Sequence, residues 1–154
     1  MQQLCIPSHG KSRKPGQGFG GIKGKNHGSK VLFDGHIDTV PVGNLKDWKH
    51  DPFHAVVEDG KLYGRGTSDD KGPLVSSLFA MKYLADNQLI PKDTCLRMIV
   101  GTDEEESWQC IRYYLDHAEI LPQVSIVPDA NFPLLYCEKG LLDFDLSSVE
   151  SVGR

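Results

Sequence analysis

The sequence has no CxxC pair: Cys5, Cys95, Cys110 and Cys137 stand far apart. That spacing argues against a thiolate zinc site and against a disulfide framework, and makes reduced cysteines in a cytoplasmic protein the simplest account. No apolar run approaches the ~20 residues of a membrane span, and the N-terminus lacks the apolar stretch of a secretory signal. Basic residues are not in excess either. Asp and Glu total 21 against 17 Lys and Arg, a net charge of -4, which gives no reason to expect nucleic acid or an anionic membrane as a partner. Residues 1–30 show little periodicity: glycines such as Gly16, Gly18, Gly20, Gly21, Gly24 and Gly28 are mixed with basic residues such as Lys11, Arg13 and Lys23. Such a segment has few apolar side chains to bury, and a poorly ordered basic arm is expected there. Its glycines do not follow a strand and open a helix, so they are not read as a phosphate loop. No internal repeat is found.

The 154 residues suffice for one domain with a sizeable core. Residues 31–146 carry the pattern of that domain, and 147–154 form a short tail. The stretch Val31-Leu-Phe-Asp-Gly-His-Ile-Asp-Thr-Val40 organises the rest. It reads as a buried strand ending in His36 and Asp38, which share a side because strand side chains alternate. Ala55–Glu58 and Lys61–Gly64 flank Asp59-Gly60, a hairpin signal. After the charged loop Gly64–Gly72, Pro73 opens a helix, and Leu74, Leu78, Met81 and Ala85 repeat at helical spacing to about Leu89. Cys95–Val100 reads as a second buried strand. A short helix with Trp108, Ile111 and Leu115 on one face follows, and Val124–Val127 is a third core strand. Residues 134–136 and 141–146 look like further strands. Strands alternating with helices indicate an α/β, three-layer domain with a mostly parallel mixed sheet flanked by helices.

Each of the three apolar strands runs into acidic or histidine residues: His36 and Asp38, then Asp103–Glu106, then Asp129. The loop with Asp69 and Asp70 precedes the first helix. Ligands in open α/β sheets gather beyond the carboxyl ends of the strands, so this order converges the acids on one rim. Each cluster also has an ordinary reading: Asp69-Asp70 as a turn or helix cap, Glu104–Glu106 as the acidic first turn of a helix, Asp129 as a turn residue after proline. Trp48, Phe53, Tyr63 and Trp108 read as packing residues. Carboxylates gathered together repel unless a cation lies between them. One histidine with several carboxylates suits zinc, manganese or cobalt. In Glu104-Glu105-Glu106 a ligand and a general base are available in adjacent positions.

Four motifs carry a resemblance. Gly35–Pro41 (GHIDTVP), Asp59–Pro73 (DGKLYGRGTSDDKGP) and Gly101–Trp108 (GTDEEESW) resemble the M20 metallopeptidases. Pro128–Pro133 (PDANFP), followed by Glu138-Lys-Gly140, is similar to their PepV-like, Xaa-His or carnosine-type dipeptidase branch. The match runs from about Val31 to Leu146. The resemblance implies two zinc ions per complete active site. His36 and Asp129 would bind the first, Asp69 would bridge the pair after a cis peptide, and Glu105 would bind the second. Asp38 would orient the His36 imidazole, and Glu104 would be general base and acid. It implies zinc-dependent hydrolysis of the amide bond of dipeptides or short peptides with a free N-terminus. An N-acyl amino acid deacylase and an inactive metal-binding fragment are the alternatives. The family also implies a lid domain, beginning about where this sequence stops at Arg154, and a later histidine ligand.

Overall fold

The computed structural model describes residues 4–5, 18–22, 29–118, 121–131, 133–140, 142, 144, 146 and 147. Its main sheet joins β1 (Leu4–Cys5), β2 (Gly18–Ile22), β3 (Ser29–His36), β6 (Thr94–Gly101) and β7 (Val124–Ile126) in the order β1-β2-β6-β3-β7. The centre is parallel: β3 pairs in parallel with both β6 and β7, while β2 runs antiparallel to β6 and to β1. A hairpin of β4 (Val56–Glu58) and β5 (Lys61–Tyr63) forms a separate two-stranded sheet. Helix α1 (Gly72–Asp86) connects the hairpin to β6, and α2 (Gln109–His117) connects β6 to β7.

Alternation along β3 and β6 divides the apolar residues between two faces. On one face Leu96 and Met98 pack with Leu74 and Met81 of α1, joined by Val31 and Phe33. On the other, Leu32 and Ile99 pack with Tyr114 of α2. Burying each such side chain contributes roughly 1.5–3 kcal/mol. The result is the three-layer α/β arrangement expected, with β3 and β6 covered on both faces. Strand β7, expected as a third core strand, is instead an edge strand of the described sheet, with Val124, Ser125 and Ile126 all exposed.

Local chemistry sets the boundaries. Asp59 (φ 50°) and Gly60 (φ 73°) both take positive φ, the two-residue turn that matches strand twist in a hairpin. Pro73 lies in the first turn of α1. That helix closes when Gln88 takes φ 56° and Leu89 N–H donates to Leu84 O at 2.8 Å, a 6→1 closure that ends helices.

Other expectations change as well. Residues 1–30 were expected to form a poorly ordered arm, but β1 and β2 lie within them and β3 begins at Ser29. A glycine-rich strand needs no apolar side chains when the main chain of β6 supplies its hydrogen bonds, so hydrophobic pattern misses it. Residues 134–136 were expected to be a strand and have no regular structure, with Leu134, Leu135 and Tyr136 all exposed. Among the described residues no strand lies beside them to pair with. For 141–146, only 142, 144 and 146 are described, and none is in a strand. Finally, α2 buries Cys110 and Tyr114 rather than Trp108 and Leu115, which are about half exposed. Trp108, at φ 57°, is the N-cap and stands outside the helix, so its side chain is not part of the helical repeat.

Candidate metal centre at the rim of the sheet

Strand register assembles the site. His36 and Gly101 are paired, so β3 and β6 end side by side and the loop from Thr102 starts next to the imidazole. Phe33 pairs with Ile126, so Asp129 follows β7 by the same three residues that separate His36 from Phe33. The turn Thr67–Lys71, with Lys71 N–H donating to Gly66 O at 3.0 Å, carries Asp69 to the same rim. The peptide between Asp69 and Asp70 is cis, as the resemblance implies.

His36 is 2% exposed. Its Nδ1 lies 3.0 Å from the main-chain oxygen of Asp38 and 3.4 Å from Oδ1 of that residue. The network therefore assigns the proton to Nδ1 and turns the lone pair of Nε2 outward. Around Nε2 stand Asp69 Oδ1 at 3.1 Å, Asp129 Oδ2 at 3.4 Å and Glu104 Oε2 at 3.9 Å. None of these approaches has hydrogen-bond geometry, and Nε2 is left buried without a partner. Asp38 ties the site together further, its Oδ2 accepting the Glu105 N–H at 3.1 Å. Asp103 holds the acidic loop closed, accepting from the Ser107 hydroxyl and, at 3.2 Å, from the Gln109 N–H.

The charges are mutually adverse. Burial raises the Glu104 pKa, with Asp129, Glu105 and Asp38 adding to the rise and His36 opposing it. Burial alone would lower the His36 pKa, but Glu104, the Asp38 carbonyl, Asp129 and the Asp38 carboxylate raise it overall. Asp70 is raised by burial and by Asp129 and Asp69, against the His36 contacts.

The donor set fits a metal. His36, Asp69 and Glu105 bring ligand atoms within 4.8 Å of one another, and so do His36, Glu104 and Asp129. Glu105 Oε1 is buried without a hydrogen bond, like Nε2. One imidazole nitrogen and several carboxylate oxygens are the donors zinc takes. All six residues singled out from sequence (His36, Asp38, Asp69, Glu104, Glu105 and Asp129) thus meet at one rim. Sequence reasoning assigned no role to Asp70, which is fully buried against the His36 main chain. The legible signal was Gly35, whose missing side chain leaves room for it.

The model of peptidase family M20/M25/M40 matches residues 32–148. "Putative dipeptidase YtjP" of Bacillus subtilis (strain 168) is 43% identical over 111 residues, which are 72% of this chain and 23% of that protein. The chain thus spans about a quarter of the length of the curated relatives it matches. Among solved structures, the M20 family metallo-carboxypeptidase Sso-CP2 from Sulfolobus solfataricus superposes with a TM-score of 0.64 at 24% identity, covering 84% of this chain and 29% of that one. Human carnosine dipeptidase 1 superposes at 0.62 and 22% identity, covering 84% and 30%. These two likenesses concern the fold alone.

Proposed function

The chain belongs to peptidase family M20/M25/M40, and from that membership we propose that it is the metal-binding part of a dipeptidase. The reaction is hydrolysis of the amide bond of dipeptides or short peptides with a free N-terminus. The observation that carries this reading is the buried, unpartnered Nε2 of His36 with three carboxylates within 4 Å. The dipeptidase name of the relative supports the substrate class.

His36, Asp69, Glu105 and Asp129 would hold two zinc ions, with manganese or cobalt as substitutes. When bound, the metal pair lowers the pKa of water at the site towards ~7 and polarises the scissile carbonyl. Glu104 takes a proton from the attacking water as its oxygen bonds to the carbonyl carbon. It returns that proton to the leaving amine as the C–N bond breaks. Its raised pKa suits both halves of that exchange. Asp38 keeps His36 in the tautomer that leaves Nε2 free to ligate. A reducing, cytoplasmic setting is inferred from the scattered spacing of Cys5, Cys95, Cys110 and Cys137, which form no CxxC pair.

The test is an assay of the zinc-loaded full-length gene product, with the implied lid and later histidine ligand, against free-amine dipeptides and N-acyl amino acids. Chelator-sensitive cleavage of dipeptides is expected. Cleavage of the N-acyl amino acids alone would make the protein a deacylase, and zinc binding without cleavage of either would reduce it to a metal-binding unit.

A further inference from the structure

His36 is the last residue of β3, and its main-chain N–H needs an acceptor that the sheet does not supply. The Ile37 N–H donates to Gly101 O of β6 at 2.9 Å. Alternation along a strand turns the His36 N–H to the opposite side, towards β7. There the pairing with β7 stops at Phe33–Ile126. The acceptor comes instead from 34 residues away: Asp70 Oδ2 receives the His36 N–H at 3.0 Å. Asp70 is 0% exposed. Its approach depends on Gly35, where a Cβ would stand 2.6 Å from Asp70 Oδ2 and 2.9 Å from Leu74 Cδ1.

We propose that Asp70 is a positioning residue for the metal-binding imidazole. It is not a ligand. It holds the His36 main chain from the β7 side while Gly101 holds the next residue from the β6 side. The strand end is then fixed on both flanks, and Nε2 is delivered to the carboxylates of Asp69 and Asp129. Gly35 belongs to the same device, because only a residue without a side chain lets the Asp70 carboxylate come so close. The proposal rests on the two-metal reading above.

The test uses cobalt(II), whose visible absorption reports both affinity and ligand geometry, titrated into the 154-residue chain. The wild-type chain is expected to bind. Asp70→Ala is expected to bind about 10–100-fold more weakly with an altered spectrum, the usual effect of losing a group that orients a ligand. Asp70→Asn, whose amide oxygen still accepts the His36 N–H, is expected to recover most of the affinity and the wild-type spectrum. Gly35→Ala tests the same contact without touching Asp70 and is expected to weaken cobalt binding similarly. The Gly35→Ala/Asp70→Ala pair is expected to lose less than the sum of the two, because both act through one contact. Wild-type affinity and spectrum in folded Asp70→Ala would overturn the proposal alone, as would additive losses in the double variant. If Asp70→Ala does not fold, wild-type binding by Gly35→Ala would overturn it. A wild-type chain that binds no cobalt would overturn the metal reading and this proposal together.

Discussion

At the scale of single residues, the site depends on which glutamate does which work. Glu104 Oε2 lies 3.9 Å from His36 Nε2, whereas Glu105 has its N–H fixed by Asp38 and a buried, unpartnered Oε1. Glu104→Gln should therefore leave zinc content unchanged and lower dipeptide turnover by ~10²–10⁴-fold, the worth of a positioned general base. Glu105→Gln should instead weaken metal binding. Zinc analysis beside the assay reads both, and the reverse pattern would shift the assignment by one residue. A second residue-scale effect concerns Asp34, two positions before His36 on β3. Its pKa is pushed up to about 6, first by burial and then by Asp70, with His36 opposing. The folded chain thus binds this proton more tightly than the unfolded chain, and stability is lost as pH rises from about 4 to about 6. Asp34→Asn removes the ionisation cost. In the presence of a chelator it should be more stable than wild type above pH 6, by about 1–2 kcal/mol once partial solvent screening is allowed for. Below pH 4 the difference should vanish. Thermal melts at pH 3.5 and 7.5 check this.

At the scale of elements, legibility followed side-chain pattern. The runs that became β3 and β6 were readable because both faces of each are apolar, whereas β7 was readable as a strand but lies exposed at the sheet edge among the described residues. The hairpin was readable because Asp59-Gly60 can take two positive φ values in succession. Replacing Gly60 with Ala should cost about 1 kcal/mol and lower the melting temperature. A Cβ there meets nothing within 4 Å, so the cost is that of the left-handed backbone alone. An unchanged melting temperature would show that the hairpin does not depend on that turn. Elements whose formation depends on neighbours were not readable. The glycine-rich β2 exists through main-chain bonds to β6. Residues 134–136 have strand-like side chains but no strand beside them among the described residues. The buried face of α2 is set by the packing of Tyr114 on Leu32 and Ile99, a contact between distant elements.

At the scale of the whole molecule, parallel pairing of β3 with β6 and β7 makes a metal site possible. It brings three strand ends to one rim, so residues up to 93 positions apart, His36 and Asp129, come within 3.4 Å. His36, Asp38, Glu104, Glu105 and Asp129 could be picked from sequence because each lies just beyond an apolar run, and Asp69 because its charged loop carries a motif of the resemblance. The contacts that hold them, Asp70 on the His36 main chain and Asp38 on the Glu105 N–H, are long-range and leave only faint local traces. The account stands or falls on whether this rim binds zinc through His36. The most direct measurement is elemental analysis of the 154-residue chain and its His36→Ala variant after zinc loading and dialysis, with folding of both checked by circular dichroism. The account predicts stoichiometric zinc in the wild-type chain and its loss in folded His36→Ala. Equal zinc in the two, or none in the wild type, would contradict it.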